Sequence, residues 1–157
     1  PSLPAGPATY LAQKIKDTPN SVSLHIRRGD YIHNPEIQSV HGNISFEYYE
    51  QALSYIKNRY GVTNIFIFSD DPSWVKKNFN CCGHKKNIVN LSLPEYPYHE
   101  MHLMALCKHH IIANSTFSWW GAWLGKQNGL TIAPSKWFSQ KDMEEYQDIY
   151  CTNWVIL

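Results

Sequence analysis

Short apolar segments recur along the chain and are separated by stretches whose apolar residues are spaced for helices. The segments have the length and composition of strands buried on both faces of a sheet. They are residues 21–27, 64–69, 88–91, 111–113, 130–133 and 154–157. The last segment lies at the end of the chain, and we predict it as a further strand of the same sheet.

Helical spacing predicts helices between most of these strands. The predicted helices are a short one that ends near Asp17 and residues 46–60, 72–79, 98–109 and 115–127. Gly61 follows the second helix, where glycine favours termination, and Asp71-Pro72 supplies the N-cap and first-turn residues that begin the third. Strands that alternate with helices predict an α/β fold with a mostly parallel sheet and helices on both of its faces.

Length and charge restrict the classes of protein to be considered. The 157 residues fit one domain over 1–157, in which residues 1–20 form a linker and helix that lead into the first strand. The net charge of +1 predicts no general attraction to nucleic acid or to an anionic membrane. The sequence has no apolar run long enough to span a bilayer and no signal-peptide pattern. An anion site in this chain must therefore be local.

The four cysteines have no spacing typical of a small disulfide scaffold, which favours free thiols in a reducing compartment. Cys81, Cys82 and His84 form a conceivable metal-ligand cluster. A second pair of ligands at suitable spacing would be needed to complete a tetrahedral site, and the sequence has none. A loop without metal is the favoured interpretation.

Polar residues follow the predicted strands at the sheet edge where ligands bind in parallel α/β folds. Arg27, Asp70 and Asn114 each stand at the carboxyl end of a strand, and His25 shares a strand face with Arg27. A guanidinium fork suits phosphate, although a structural ion pair is the alternative for Arg27. Arg28, on the opposite face, is expected to pair with Asp30.

The fourth strand end passes through hydroxyl residues into a helix whose N-terminus is suited to an anion. Ser115, Thr116 and Ser118 supply the hydroxyls, with an ordinary serine cap as the alternative. The tryptophans that follow are expected to pack against the sheet. Neither the G-x-G-x-x-G nor the P-loop pattern is present. Glu100 opens the preceding helix, where a carboxylate also has the geometry to accept hydrogen bonds from a guanine edge.

Three segments in this order resemble the bacterial alpha-1,2-fucosyltransferases of glycosyltransferase family 11. They are residues 25–31 (HIRRGDY), 68–72 (FSDDP) and 114–124 (NSTFSWWGAWL). The resemblance covers nearly the whole chain from about Ser21. It implies the Rossmann-like, nucleotide-binding half of a GT-B-like fold. It also implies inverting transfer of L-fucose from GDP-fucose to the 2-hydroxyl of a galactoside, with no metal and no other cofactor.

The resemblance also implies roles for individual residues. Arg27 would hold the β-phosphate and stabilise the departing GDP, and His25 would line the nucleotide pocket. Asp70 and Glu100 would contact the nucleoside, although the family more often has Asp at the position of Glu100. The diphosphate would lie against the segment that comprises Asn114, Ser115, Thr116, Phe117 and Ser118. The general base would be one of Asp30, Glu36 and His41, among which the sequence does not choose.

Members of that family have an acceptor-binding half before the first strand of this chain. We therefore expect a donor-binding domain whose partners are the nucleotide-sugar donor, a glycan acceptor and the N-terminal acceptor domain, and which alone binds GDP but transfers fucose poorly. The family implies a cytoplasmic enzyme, and peripheral association with the inner membrane is left open.

Three alternatives remain at this point. One is a transferase that uses another donor or acceptor, and a second is a non-catalytic module that binds GDP or glycans. The third is a metal-dependent transferase that uses Asp70 and Asp71, although a hard cation needs more oxygen ligands than this pair supplies. The triplet Arg28-Gly29-Asp30 also matches an adhesion motif, but a three-residue match has little specificity.

Overall fold

The computed structural model describes residues 6–28, 44–91, 97–138 and 147–157. The strands are β1 Val22–Ile26, β2 Asn64–Ser69, β3 Lys85–Val89, β4 His109–Ile111, β5 Thr131–Ala133 and β6 Val155–Ile156. The α-helices are α1 Pro7–Lys16, α2 Phe46–Tyr60, α3 Pro72–Asn78, α4 Pro97–Leu106 and α5 Thr116–Trp123, and a 3₁₀ turn lies at Gln147–Ile149. The described helices include none with the combined length and apolar character that crossing a bilayer requires.

The strands form one sheet in the order β3-β2-β1-β4-β5-β6, and every pair of neighbours in it is parallel. The chain starts at the centre with β1 and builds outward to β3. It then crosses back to β4, on the other side of β1, and builds outward again. The predicted α/β fold with a parallel sheet is confirmed. The reversal leaves a crevice between the carboxyl ends of β1 and β4, where ligands bind in sheets of this order.

Helices cover both faces of the sheet because the strands alternate apolar side chains between the two. Leu24 and Ile67 pack in the same buried cluster as Leu53 of α2. Phe66 and Phe68, which point to the opposite face, pack with α1 and α4. Burying these side chains on both faces is the main source of stabilisation, at roughly 1.5–3 kcal/mol for each large apolar side chain.

Strand β3 begins at Lys85, three residues before the predicted strand, and its first residues lie against the end of α3. Lys86 donates hydrogen bonds from Nζ to the backbone oxygens of Phe79 at 2.9 Å and Lys76 at 3.3 Å. The lysine therefore caps carbonyl groups at the C-terminal end of α3, for which the helix itself supplies no N–H donor. As an edge strand, β3 tolerates such exposed, charged residues, and pairing with β2 extends back to Lys85.

The expectation that the tryptophans of α5 pack against the sheet is wrong for two of them. Trp119 is partly buried and donates from Nε1 to the backbone oxygen of Ile149 at 2.7 Å. Trp120 and Trp123, however, are 46% and 55% exposed. The helix is also shorter than predicted and ends at Trp123. Two residues later, Gly125 lies so close to the ring of His110 on β4 that a Cβ at this position would touch it.

Candidate functional site

A cleft of about 310 Å³ lies at the carboxyl ends of the central strands. Leu24 pairs with Ile111 and Ile26 pairs with Ser69, so the residues that follow β1, β2 and β4 arrive at one edge of the sheet. The cleft is lined by His25, Arg27, Ser69, Asp70, Glu100, Ser115 and Phe117. Six of these seven were candidates from the sequence, and the seventh, Ser69, was missed because its hydroxyl is part of the turn into α3.

Arg27 stands at the centre of this edge, since β1 lies between β2 and β4. Its side chain is half-buried and lines the cleft. Nη1 lies 3.4 Å from the hydroxyl oxygen of Ser115, which is long for a hydrogen bond. The side chain therefore places a fixed positive charge beside the N-terminus of α5, an arrangement that suits a phosphate group.

The N-terminus of α5 differs from those of α2 and α3. Ser45 accepts a hydrogen bond from Tyr48 N, and Asp71 accepts one from Trp74 N, so each caps its helix as predicted for Asp71. Ser115 is the N-cap residue of α5 but makes no such side-chain bond within the described structure. Its hydroxyl instead faces Arg27 and the cleft, which leaves the positive end of the helix dipole directed at the same space.

Ser118 and Asn114 hold this segment in place rather than lining the cleft. The hydroxyl of Ser118 accepts from Ala113 N at 3.2 Å and also lies 3.2 Å from the backbone oxygen of Ser115, so it ties the turn together. Asn114 is buried and donates from Nδ2 to the backbone oxygen of Trp137 at 3.1 Å. Thr116 is exposed and does not line the cleft.

His25 is a neutral polar group in the wall of the cleft. Burial lowers its pKa to about 3, and the nearby charge of Arg27 acts in the same direction. The Nδ1 atom is buried and has no hydrogen-bond partner among the described residues, while the ring packs on Phe117 with centroids 5.7 Å apart. An imidazole with so low a pKa is a poor general base at neutral pH, so its chemistry here is that of a hydrogen-bonding group.

Glu100 lies in the first turn of α4 and closes one side of the cleft. Burial raises the pKa of its carboxyl above the ordinary value, while a hydrogen bond with the Leu91 backbone opposes that shift. A partly desolvated carboxylate gains more from a pair of N–H donors than an exposed one does. The position therefore suits a ligand edge that carries such donors.

Asp70 follows β2 and is hydrogen-bonded to the segment that follows β1. One of its oxygens accepts a hydrogen bond from Arg28 N at 2.8 Å. The guanidinium of Arg28 lies on the ring of Trp74, with Cζ 3.5 Å from the ring centroid. The sequence predicted Asp30 as the partner of Arg28. The stacking on Trp74 was missed, because a contact between the end of β1 and a residue of α3 has no local sequence signal.

The candidate general bases Asp30, Glu36 and His41 lie outside the described residues. The cluster of Cys81, Cys82 and His84 is described, and both nitrogens of His84 are engaged by the backbone. Thr63 N donates to Nδ1 at 3.2 Å, and Nε2 lies 3.0 Å from the oxygen of Leu53. His84 thus ties α2 to the start of β2, and the described residues include no group of three or more side chains suited to a metal ion.

The buried imidazoles predict that acid destabilises the fold. His25 and His110 have pKa values of about 3 and about 4, against an ordinary value of 6.5. His110 shares a 2.8 Å hydrogen bond with Ser23 through Nδ1, and its buried Nε2 has no partner in the described structure. Between pH 6.5 and these values the unfolded chain binds protons that the folded chain does not. The free energy of unfolding should therefore fall with falling pH, by up to about 1.4 kcal/mol per pH unit for each imidazole.

Urea denaturation at several pH values between 7 and 4 measures this dependence. The variant His110→Asn keeps a polar group beside Ser23 but does not titrate, so its unfolding free energy should depend less steeply on pH. A slope equal to that of the unaltered chain would contradict the assignment of His110. His109, whose pKa burial lowers to about 4, contributes with the same sign in both proteins.

Comparisons with known proteins agree with the resemblance noted from the sequence. A family model described as glycosyl transferase family 11 matches residues 11–157. The chain is 45% identical over 128 residues to the O-antigen biosynthesis glycosyltransferase WbnK of Escherichia coli, an alignment that covers 80% of this chain and 41% of that protein. It is 43% identical over 140 residues to an alpha-1,2-colitosyltransferase of the same species, covering 88% and 48% of the two chains.

More distant similarity extends to animal proteins. The galactoside alpha-(1,2)-fucosyltransferase 2 of Sus scrofa is 28% identical over 114 residues, which are 71% of this chain and 33% of that protein. The chain thus spans less than half the length of these relatives.

Proposed function

The chain belongs to glycosyl transferase family 11, and we propose that it binds GDP-L-fucose for inverting, metal-independent transfer of the fucose to the 2-hydroxyl of a galactoside. The observation that carries the proposal is the convergence of Arg27, the N-terminus of α5 and two carboxylates, Asp70 and Glu100, on one cleft. A cleft lined by both a cationic group and carboxylates matches a ligand with a diphosphate at one end and a base with N–H donors at the other.

In this proposal the diphosphate lies between Arg27 and the first turn of α5. When the bond from the sugar to the β-phosphate breaks, negative charge develops on the departing GDP. A guanidinium already in position stabilises this charge without reorganisation. The Ser115 hydroxyl adds a donor, whereas the exposed side chain of Thr116 lies outside the cleft and is assigned no contact with the diphosphate. These groups supply the positive charge that a metal ion provides in metal-dependent transferases, which supports the metal-independent mechanism.

The nucleoside lies towards the carboxylates. Glu100 is proposed to accept hydrogen bonds from the guanine edge, and Asp70, held by the Arg28 backbone, to accept from a ribose hydroxyl. His25 contributes a neutral donor or acceptor, and Phe117 an apolar surface. Asn114 and Ser118 act through the backbone that they hold. Proton abstraction from the acceptor hydroxyl is left to one of Asp30, Glu36 and His41.

The role of Glu100 gives the experiment that tests the nucleotide assignment. GDP and IDP differ only in the exocyclic amine of guanine, so calorimetric titration with EDTA present should give binding of GDP about tenfold or more tighter than that of IDP. In Glu100→Ala the two affinities should become nearly equal, because the acceptor for the amine is gone. Glu47→Ala removes a carboxylate from the first turn of another helix and should leave the preference intact. Equal binding of GDP and IDP by the unaltered chain, or no binding of either, would contradict the proposal.

A different donor sugar is the alternative that a specific observation favours. One relative at 43% identity is named a colitosyltransferase and another, at 28%, a fucosyltransferase, and the groups that line the cleft are assigned here to the nucleotide. Competition between GDP-fucose and other GDP-sugars for the same site distinguishes the donors. Binding of GDP with no preference for the fucosyl donor would favour this alternative.

A further inference from the structure

Basic side chains collect at the edge of the sheet opposite the candidate cleft. Helices α1, α2, α3 and α5 end at this edge, where the following strands begin. The exposed basic residues there are Lys16, Lys57, Arg59, Lys76, Lys77, Lys85, Lys86 and Lys126, and we call this surface the basic edge. The helix ends and strand starts that the structure describes at this edge include one acidic residue, Asp17.

Hydrogen bonds fix two lysines of this edge, Lys57 and Lys86, to the neighbouring backbone. Lys57 donates from Nζ to the backbone oxygen of Cys82 at 3.1 Å, which fixes the end of α2 against the turn before β3. Lys86 fixes the end of α3 to the same strand. An open hollow of about 440 Å³ between these elements is lined in part by Lys77, Lys86 and Asn80. Lys77 and Lys86 therefore lie on one hollow, and Lys57 is fixed to the turn before β3, whose residues also line that hollow.

Compensation of helix dipoles explains only some of these charges. Lysines and arginines in the last turn of a helix are favourable because of its partial negative charge, which accounts for Lys57, Arg59 and Lys77. Lys85 and Lys126 lie outside the helices. Helix dipoles therefore do not account for these two charges, which an anionic partner would compensate.

Exposed apolar side chains accompany the charges. Val62, in the loop between α2 and β2, is 56% exposed, and Trp123 and Leu124, at the end of α5, are 55% and 46% exposed. Lys126 follows them two residues later. Tryptophan and leucine beside lysine are typical of surfaces that enter the headgroup region of a bilayer, where the ring meets lipid and the ammonium meets phosphate.

We propose that the basic edge is a docking surface for a bilayer that contains anionic phospholipids. The charge complements the phosphate layer, and the apolar side chains reach the region beneath it. Because the basic edge lies at the opposite ends of the strands from the cleft, the cleft of a docked molecule faces the aqueous phase. The net charge of +1 concealed this surface in the sequence, because a sum over the whole chain does not show where the charges lie.

Sedimentation with lipid vesicles tests the proposal without reference to nucleotide binding. The chain should bind vesicles of phosphatidylglycerol mixed with phosphatidylcholine and dissociate at high salt, and it should bind phosphatidylcholine vesicles much more weakly. Lys85→Gln should weaken partitioning to the anionic vesicles about fivefold, and the triple variant Lys77→Gln, Lys85→Gln, Lys126→Gln about a hundredfold. Lys136→Gln removes an exposed lysine after β5, at the cleft side, and should change partitioning less than about twofold.

Trp123→Ala tests the apolar part, since it should weaken binding to anionic vesicles while leaving the dependence on salt intact. Circular dichroism verifies that each variant is folded. Equal binding to neutral and anionic vesicles, no binding to either, or equal losses in Lys85→Gln and Lys136→Gln would overturn the proposal. Binding to a soluble polyanion such as heparin but not to vesicles would overturn it in favour of another anionic partner.

Discussion

Arg27→Ala is expected to weaken the binding of GDP about thirtyfold or more, because a charge-assisted hydrogen bond to phosphate in a half-buried site contributes on the order of 2 kcal/mol. In a protein that also carries the acceptor-binding half, transfer of the sugar should fall further, by roughly a hundredfold to a thousandfold, since the negative charge on the leaving GDP is greatest in the transition state. Calorimetry with GDP and a transfer assay with GDP-fucose measure the two effects.

Two further variants make the Arg27 result specific. Arg27→Lys keeps the positive charge but loses the planar fork, so its affinity for GDP should lie between those of the unaltered chain and the alanine variant. Arg59→Ala removes an exposed arginine at the opposite edge of the sheet and should leave GDP binding unchanged. If Arg27→Ala bound GDP as tightly as the unaltered chain does, Arg27 would serve the structure, and the diphosphate would have to lie elsewhere.

Gly129→Ala is expected to destabilise the fold by about 3 kcal/mol or more, a larger effect than substitution of the other glycines that the structure describes. A Cβ at position 129 would lie 1.5 Å from the backbone oxygen of Lys108. The loop before β5 thus passes directly over the start of β4, and one of the two backbone segments would have to move. The melting temperature should fall by roughly 10 °C, given the size of the chain.

Gly61→Ala is the matched control for that prediction. Gly61 ends α2 with a φ of +73°, but nothing lies within 4 Å of the place where its Cβ would be. The substitution costs only the backbone strain of a residue with a Cβ at this φ and ψ, on the order of 1–3 kcal/mol. Melting curves of the two variants compare a steric cost with a conformational one. Similar small losses in both would show that the segments around Lys108 and Gly129 separate easily.

The position of the candidate site follows from the strand order. Because β1 and β4 are neighbours although they are distant in sequence, Arg27 and Ser115 come within 3.4 Å of each other. In this fold the guanidinium and the helix N-terminus follow strands that are distant in sequence, so no local pattern brings them to one cleft. This is the physical reason that the motifs around Arg27 and Ser115 are informative together and less so separately.

The sequence by itself determined the elements whose signals are local. The bounds of α2 and β2 agree with the prediction because a helical apolar pattern, a terminating glycine and a short buried run are each read from neighbouring residues. The cap formed by Asp71 and Pro72 was predicted for the same reason. The alternation of these elements was sufficient for the α/β fold, and six of the seven residues that line the cleft stand at predicted strand ends or helix starts.

Only the tertiary structure decided which of the nearby polar groups face the cleft. Ser115 and Ser118 are both hydroxyl residues of one short segment, yet one faces Arg27 and the other bonds the backbone beneath it. The stacking of Arg28 on Trp74, the exposure of Trp123 and the grouping of lysines at the basic edge are likewise absent from any local pattern. Each depends on which elements become neighbours, and that is settled by the packing of the whole sheet and its helices rather than by residues adjacent in the chain.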